Sequence, residues 1–347
     1  MMSTVKRLLP QDQEGAGRWD AFVQACPQAS FFHRAGWQRI LRDVFRHDSY
    51  FLFVESADGQ IEGVLPLGHV KSRLFGNALV SMPFAVYGGV AANHADAADA
   101  LEREAQKIAQ QLGVDHLEMR NVERRHADWP LQDLYVTFRK TIVADDEANM
   151  LAIPRKSRAS VRKGIKNGLQ SAIDPTVDRF FALYADNVHR HGTPAFSKRY
   201  FQALQTTFGT DCEVLTVTTA EGRPLSSVLS FYFRDEVLPY YAGDDEAARD
   251  LAGNDFKYWE LMRRAAARGI RVFDYGRSKQ GTGSFAFKKN WGFEPQPLHY
   301  EYCLYKRDAI PQNNPSNAKY QFVIRTWRRM PRGLVNVLGP YIVRNLG

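Results

Sequence analysis

The chain has 347 residues, enough for two domains of ordinary size, and 44% of them are hydrophobic, as two packed cores require. This composition excludes a disordered or fibrous protein. The formal net charge at pH 7 is +8, and residues 309–347 contain no acidic side chain. We therefore expect an anionic partner, which leaves phosphate groups, nucleic acid and a membrane surface open.

Three features of the sequence bear on its compartment. Cys26, Cys212 and Cys303 are odd in number and show no metal-ligand spacing, which predicts reduced thiols, no disulfide and no metal site. The N-terminal segment MMSTVKRLLPQDQEG lacks the apolar core of a signal peptide, so we expect a cytoplasmic protein. The uncharged run 74–93 contains Pro83 and a pair of glycines, which favours buried strands and turns over a membrane span.

Hydrophobic periodicity predicts the same order of elements twice along the chain. The first half gives helices at 18–24 and 37–45, strands at 50–55 and 61–70, strand-like sequence over 78–90, a helix at 96–112 and a strand at 115–119. The second half gives helices at 176–189 and 198–207, strands at 213–219, 225–233 and 237–242, a helix at 255–268 and a strand at 271–275. The segments FLFVESADGQIEGVLPL and VLTVTTAEGRPLSSVLSF stand at the same place in the two copies.

This order predicts an α/β (α+β) chain in which each copy is a mixed, mostly antiparallel sheet flanked by helices, with ligands at strand ends. Each copy looks like a GNAT domain, the acyl-CoA N-acyltransferase type, so we expect two such domains in tandem. The expected divisions are a first domain at 1–150, a basic connecting segment at 151–174, a second domain with the active site at 175–308, and a basic amphipathic tail at 309–347.

The most specific motif lies between residues 273 and 293, where FDYGRS is followed by GTGSFAFKKNWGF. It resembles the FemAB (FemABX) peptidyl aminoacyltransferases of the GNAT superfamily, whose second domain ends in Phe-Lys-x-x-aromatic-Gly. Phe287, Lys288, Trp291 and Gly292 match that pattern here. The preceding Asp-Tyr-Gly-Arg-Ser run resembles a branch of the family associated with PEP-CTERM and exosortase loci.

The resemblance implies transfer of an amino-acyl or acyl group from an activated donor onto an amine of a cell-wall or exopolysaccharide precursor. Amine attack places negative charge on the carbonyl oxygen, and a positioned cation lowers that barrier. By motif position Lys288 resembles the family lysine in this role, with Lys289 as the substitute if the register differs by one; a solvated turn is the other interpretation. No covalent intermediate and no resident cofactor are required.

Asp274 is a candidate general base because it stands where a strand ends. Glu118 and Arg120 occupy nearly the same place in the first copy as Asp274 and Arg277 in the second. Holding the strand end is therefore an equally open role for this carboxylate. The further candidates for substrate contact are Arg277, Ser278, Phe287 and Trp291 in the second domain, and Tyr87 before two glycines in the first.

A basic segment joins the two copies, with six cations between residues 155 and 166. Read as a helix, it places Val161, Ile165 and Leu169 on a docking stripe, and Arg158, Arg162 and Lys166 on the next. Similarity to the Pro-x-x-x-Arg stretch of Fem-like enzymes implies binding of a UDP- or lipid-linked diphosphate. The candidate phosphate-binding residues are Arg155, Lys156, Arg158 and Arg162, although a solvated basic face is an open alternative.

The acyl donor is either aminoacyl-tRNA or acyl-coenzyme A. A helix predicted to begin with Asn254 or Asp255 as its N-cap would attract an anion through its N-terminal amides. The loop before it, GDDEAAR over 243–249, is acidic, which disfavours coenzyme A and favours a bulkier donor.

The tail from residue 320 mixes apolar side chains with arginines, a composition typical of a segment at an anionic membrane surface. Pro331, Gly339 and Pro340 argue against one continuous helix. Folding back onto the domains is the alternative for this tail, and a basic nucleic-acid or membrane-binding protein without catalysis is the alternative for the whole chain. Contact with lipid would place the protein at the inner face of the plasma membrane.

Overall fold

A computed structural model of the chain describes residues 4–72, 75–311 and 318–346. The chain divides into two compact units. Unit 1 comprises Met1–Leu134, Pro297–Gln312 and Arg344–Gly347, and unit 2 comprises Tyr135–Gln296 and Asn313–Val343. Unit 2 therefore begins at Tyr135, whereas the first domain was expected to extend to residue 150. The chain returns to unit 1 at Pro297, whereas the second domain was expected to extend to residue 308.

The elements follow one another in this order. Up to residue 134 they are β1 (Thr4–Leu8), α1 (Gln13–Ala25), α2 (Gly36–Ile40), β2 (Asp48–Glu55), β3 (Ile61–Ser72), β4 (Gly76–Ser81), β5 (Ala91–Ala92), α3 (Ala95–Leu112), β6 (His116–Asn121) and β7 (Leu131–Gln132). Next come β8 (Tyr135–Thr141), α4 (Asp146–Ala152), α5 (Arg155–Lys166), β9 (Gln170–Asp174), α6 (Asp178–Arg190), α7 (Lys198–Phe208), β10 (Cys212–Thr218), β11 (Pro224–Phe233) and β12 (Glu236–Asp244). The last are α8 (Gly253–Ala267), β13 (Val272–Asp274), β14 (Ser278–Lys279), α9 (Gly283–Asn290), β15 (Pro295–Pro297), β16 (His299–Leu304), α10 (Ala318–Arg329) and α11 (Arg332–Val343).

Unit 1 is built on a mixed sheet with the strand order β1-β2-β3-β4-β6-β16-β7, in which β5 pairs with β3. β1 to β4 form an antiparallel meander, and β4 runs parallel to β6 across the connection made by α3. Helix α3 ends at Gly113, whose φ of 59° is left-handed and suits glycine. Its buried face, which includes Leu101 and Ala105, packs with Leu65 and Leu117 of the sheet.

Unit 2 repeats this arrangement with the strand order β14-β8-β13-β12-β11-β10-β9. β9 to β12 form the meander, α8 makes the connection, and β13 runs parallel to β12. Phe138, Trp259, Phe273 and Trp291 belong to its buried core. The predicted duplication of a mixed α/β unit is confirmed.

Each sheet contains a strand from a distant part of the chain that the sequence did not predict. β16 pairs with β6 in unit 1, although their residues are separated by most of unit 2 in the chain. β8, whose sequence precedes the second copy, pairs with β13 and β14 in unit 2. These two strands account for the difference between the expected divisions of the chain and its compact units.

The run 78–90 is strand only as far as Ser81, where β4 ends. Met82 and Phe84 have left-handed φ values of 52° and 67°, and Pro83 lies between them, so the strand cannot continue. Among the described residues, none of the helices combines the length and the apolar character needed to cross a bilayer.

The described part of the tail forms α10 and α11, which pack on α6 within unit 2. Trp327 and Val335 are buried, and the Trp327 carbonyl lies 3.1 Å from Nε2 of His189. Pro331 separates the helices as expected, whereas Gly339 and Pro340 lie within α11. Residues 312–317 and Gly347 of the predicted tail lie outside the described residues, as do the side chains of 318–323.

Gly243 of β12 lies so close to α6 that a side chain has no room. A Cβ there would be 2.3 Å from the backbone nitrogen of Tyr184 and 2.4 Å from its Cα. We expect Gly243→Ala to lower the free energy of unfolding by about 1–3 kcal/mol, since backbone must move. Gly333→Ala is the matched control, because nothing lies within 4 Å of a Cβ at Gly333. Equal urea midpoints for the two variants would contradict this account of the packing.

Candidate active site

The candidate site lies at the carboxyl end of β13 in unit 2. The β12–β13 ladder contains two residue pairs, Glu236–Val272 and Val237–Phe273, and ends there while β12 continues to Asp244. Asp274 is fully buried at this point. Carboxyl ends of strands, where neighbouring strands cease to pair, are the usual ligand positions in α/β sheets.

The Asp274 carboxylate is held by several groups of unit 2. Its Oδ1 accepts hydrogen bonds from the Thr137 hydroxyl at 3.2 Å and from the backbone N–H of Gly276 at 2.7 Å. Nε of Arg139 lies 3.9 Å from Oδ2. The bond to Gly276 closes an Asx turn, so Asp274 fixes the direction in which the chain leaves β13.

Lys288 reaches the same turn from α9, which Thr282 caps at its N-terminus. Its Nζ donates hydrogen bonds to the carbonyl oxygens of Gly276 at 2.9 Å and Arg277 at 3.1 Å. The side chain is only 8% exposed. Burial lowers the pKa of Lys288 from 10.5 to about 7, Asp274 raises this pKa in part, and Arg277 lowers it further.

Lys289 occupies a different environment from its neighbour. It is exposed, with Nζ 6.0 Å from the centre of the Phe285 ring. Successive residues of a helix point about 100° apart, so only one lysine of the pair can face the turn after β13. The structure places Lys288, and not Lys289, beside Asp274.

The aromatic residues of the motif pack into the core of unit 2. Trp291 is fully buried, its Nε1–H donates to Oδ1 of Asp255 at 2.9 Å, and its ring lies 5.9 Å from that of Phe287. The prediction that Asn254 or Asp255 caps α8 is wrong. The N-cap residue is Ala252, with a left-handed φ of 59° and no side-chain cap, and the Asp255 carboxylate binds Trp291 instead. Burial raises the pKa of Asp255.

The predicted basic helix is present as α5, and it packs against α8 and α9. A Cβ on Gly164 would lie 2.8 Å from Cβ of Phe256 in α8, and Ser157 donates a hydrogen bond of 2.8 Å to the Asn290 carbonyl at the end of α9. The expected docking stripe is wrong at one position. Val161 and Leu169 are buried, but Ile165 is 49% exposed, because Gly164 makes the close contact.

The cations of α5 differ in their exposure. Arg155, Lys156 and Arg162 are exposed, whereas Arg158 is half-buried and its Nε donates to the Ile153 carbonyl at 3.2 Å. Because Ser157 contacts the end of α9, the first turn of α5 lies beside the helix that carries Lys288. Unit 2 therefore brings the basic segment and the lysine motif together.

The remaining predicted residues are distributed as follows. Arg277 is exposed, with its guanidinium carbon 4.6 Å from the centre of the Tyr135 ring. Ser278 is buried and pairs with Val136, and its hydroxyl has no hydrogen-bond partner among the described residues. Tyr87 belongs to unit 1, where it is buried with its ring 6.3 Å from that of Phe32.

The acidic loop contains a buried ion pair that its sequence did not predict. Lys257 of α8 is fully buried, and its Nζ donates to Oδ1 of Asp244 at 2.8 Å. Asp245 accepts a hydrogen bond from the backbone N–H of Ala247 at 2.9 Å and pairs with Arg223 at 3.2 Å. A lysine in the second turn of a helix is normally exposed to solvent, so no local pattern predicted that Lys257 is buried. In the described part of the chain, no three His, Cys, Asp or Glu side chains form a metal cluster.

Comparisons with known proteins agree with this architecture. Residues 155–289 match the family model of the acetyltransferase (GNAT) domain. No curated protein matches the sequence. The crystal structure of FemX is similar with a TM-score of 0.66 at 16% identity, over 87% of this chain and 98% of that one. A tandem GNAT protein from the clavulanic acid biosynthesis pathway gives 0.54 at 15%, over 89% and 100%.

The chain has a tandem GNAT fold. A third solved structure, the C-terminal domain of a protein described as a lysylphosphatidylglycerol synthetase from Agrobacterium fabrum, gives a TM-score of 0.57 at 14% identity. It covers 85% of this chain and 92% of its own. These likenesses establish the fold, and the predicted fold class is confirmed. In unit 2 this GNAT-type acyltransferase fold brings Lys288 of α9 to the turn that follows β13.

The buried lysine gives a prediction for stability. Because its folded pKa of about 7 lies below 10.5, the folded protein releases this proton first, and the free energy of unfolding must rise with pH between those values. Relative to Lys288→Met, the wild type should gain up to about 1.4 kcal/mol per pH unit in this range. Urea unfolding at a series of pH values measures the difference.

Lys289→Met is the matched control for this measurement, since Lys289 is exposed on the same helix. The wild type and this control should show the same dependence on pH. A constant difference between wild type and Lys288→Met at all pH values would show that the ammonium is not buried in solution.

Proposed function

We propose that the protein is an N-acyltransferase of FemAB type, which moves an amino-acyl or acyl group onto an amine of a cell-wall or exopolysaccharide precursor. The GNAT-type acyltransferase fold and its similarity to FemX support the reaction class. The Asp-Tyr-Gly-Arg-Ser run supports the exosortase-associated branch, and with it an exopolysaccharide acceptor. The reaction is proposed for the cytoplasm.

The observation that carries this proposal is the Lys288 ammonium beside the turn after β13. An ammonium has three N–H donors, and the described residues accept two of them through the Gly276 and Arg277 carbonyls. The third donor is proposed to bind the oxygen that becomes negatively charged when the amine attacks the acyl carbonyl. A buried cation is most effective in this role because low local polarity strengthens its interaction with the oxyanion.

Asp274 has two roles in this proposal. As a carboxylate near Lys288 it favours the charged ammonium, which the reaction requires. It is also the candidate acceptor for the proton that the incoming amine releases. Its hydrogen bonds to Thr137 and Gly276 support the first role more directly than the second.

The exposed cations of α5 are proposed to bind the phosphates of the precursor. Arg155 and Lys156 lie on the first turn of α5, which contacts the end of α9 through Ser157. Guanidinium and ammonium groups both bind phosphate, and arginine does so with two parallel hydrogen bonds. A UDP-linked or lipid-linked diphosphate bound here would hold its amine on the side of unit 2 that carries Lys288.

Two donors remain candidates. Aminoacyl-tRNA is supported by the similarity to FemX and by the resemblance of the 273–293 motif to FemAB enzymes. The acidic connection between β12 and α8 does not decide against coenzyme A, because Asp244 and Asp245 are paired with Lys257 and Arg223. Acyl-coenzyme A is the second candidate, because residues 155–289 match a model of acetyltransferases. Neither donor requires a bound cofactor in addition.

We expect Lys288→Met to lower kcat/KM by about 10²–10³, the usual effect of losing one oxyanion donor. In the wild type, kcat/KM should fall as pH rises above about 7, because the ammonium then loses its proton. Initial rates with charged tRNA or acyl-coenzyme A and a precursor amine, measured against pH, test both points. Lys289→Met should retain most of the activity.

The activity of Lys288→Met tests the role of Lys288 only if this variant is folded. Circular dichroism and the melting temperature of Lys288→Met must therefore be compared with those of the wild type. Unchanged activity in a folded Lys288→Met would remove the central assignment, and a rate that rises above pH 7 would indicate a base in place of the oxyanion donor.

Ligand binding distinguishes the donors and tests α5. A UDP-linked muramyl peptide should raise the melting temperature, since any ligand that binds only the folded state stabilises it. Arg155→Gln with Lys156→Gln should reduce that rise while leaving the melting temperature of the free protein unchanged, because both side chains are exposed. A response to coenzyme A or acetyl-coenzyme A, and none to charged tRNA, would select the second donor.

The same measurements also test the alternative that the chain is a basic binding protein without catalytic activity. Strong, salt-sensitive binding of tRNA with no turnover of any donor would indicate a basic binding protein and contradict the proposed activity. An equal rise for wild type and the α5 double variant would remove the phosphate role of Arg155 and Lys156.

A further inference from the structure

Helix α11 has two apolar faces, and the residues that the structure describes cover one of them. Val335, Gly339 and Val343 are buried. A Cβ on Gly339 would lie 3.0 Å from the Ala195 carbonyl oxygen, so this face is in close contact with the body of unit 2.

The other face of α11 exposes a contiguous apolar stripe. Leu334 is 45% exposed, Val337 62% and Leu338 38%, and Tyr341 one turn later is 61% exposed. Their spacing of i, i+3, i+4 and i+7 puts them side by side on a helix. Single exposed apolar residues are common, but a continuous stripe indicates a surface that is covered by a partner.

The charged side chains that the tail itself contributes around this stripe are all basic. Residues 309–347 contain no aspartate or glutamate. Arg329 is the last residue of α10, Arg332 is the first residue of α11 and Arg344 follows α11, and the Arg329 side chain is exposed. Arg332 pairs with Asp186 of α6 at 2.5 Å, yet its side chain is still 71% exposed. Exposed aliphatic groups bordered by arginines complement a surface that is apolar inside and anionic at its boundary.

We propose that α11 docks the protein on an anionic lipid surface. Leu334, Val337 and Leu338 enter the boundary between headgroups and acyl chains, while Arg329 and Arg332 bind lipid phosphates. An amphipathic helix with this arrangement lies in the plane of the membrane interface. Nucleic acid would use the arginines but would leave the aliphatic stripe in water, which makes it the poorer partner.

This docking does not depend on the proposed acyl transfer. Docking would place the proposed reaction at the membrane, because a protein held there by α11 would meet lipid-linked acceptors at a high local concentration. The two proposals also fail separately, since vesicle binding needs no substrate and turnover of a soluble precursor needs no membrane.

The test is co-sedimentation of the full chain with phosphatidylcholine vesicles that contain or lack phosphatidylglycerol. The wild type should bind the anionic vesicles and not the neutral ones, and added salt should weaken binding. Leu334→Ser, Val337→Ser and Leu338→Ser together should lower the affinity by roughly 10-fold or more. Arg329→Gln should lower it about fivefold, as loss of one interfacial cation does.

A matched control removes three exposed aliphatic side chains elsewhere in unit 2. Val143, Leu151 and Ile173 are 48%, 54% and 40% exposed. Their triple replacement by serine should leave vesicle binding unchanged, and both triple variants should keep the melting temperature of the wild type. This control separates docking by α11 from a general effect of lost apolar surface.

Three outcomes would overturn the proposal. The first is failure of the wild type to bind anionic vesicles at low salt. The second is equal binding by the wild type and the α11 triple variant, which would assign the attraction to other cations such as those of α5. The third is a dimer, or a tRNA complex, that the α11 variant abolishes in the absence of any vesicle binding, because the stripe would then serve a second copy or nucleic acid.

Discussion

Burial of one ammonium group is the constraint that organises the end of β13. Removing a charge from water is costly unless polar groups compensate, and Lys288 has two carbonyl oxygens and a nearby carboxylate for this purpose. The carbonyls face inward because Gly276 has a left-handed φ of 64°, and Asp274 holds that turn through the Gly276 N–H. The turn, the carboxylate and α9 therefore form one arrangement, in which the change of any part affects the charge of Lys288.

In unit 1, the cation nearest the corresponding strand end is an arginine of the strand itself. Arg120, at the end of β6, donates to Glu118 at 2.8 Å and to the carbonyl oxygens of Met82 and Ala85 at 3.3 and 2.7 Å. A guanidinium keeps its proton at all ordinary pH values, so this network is permanently charged and ties down the loop after β4. An amine with a pKa near 7 can instead change its charge. The proposed chemistry therefore belongs to the second repeat, whereas the arginine network of the first repeat holds a loop.

The sequence predicted the elements that the two units share, but not the strands β8 and β16 that complete the two sheets. Meander strands, α3 and α8 are marked by periodicity and by nearby turns such as the one that ends at Gly113. β8 and β16 pair with strands that are more than a hundred residues away, and no local pattern reveals such partners. At the site, the spacing of the motif identified Lys288, but its burial was not predictable, because FKKN in isolation resembles a solvated turn. Asp255 shows the same limit: its expected cap role is replaced by a hydrogen bond to Trp291, which lies far along the chain.

The position of α5 bears on how an anion would be recognised in this fold. Helix N-termini attract anions through their amides, and α8 begins beside the turn that follows β12. Here Asp244 and Asp245 precede α8, where they pair with Lys257 and Arg223, and Gly164 lets α5 pack against the first turn of α8. Positive charge is supplied instead by side chains of α5. Side-chain cations can follow a large, flexible phosphate-bearing substrate more readily than a fixed row of amides. The exposed cations beside α9, rather than the amides of α8, are therefore the groups on which the proposal of a bound precursor diphosphate rests.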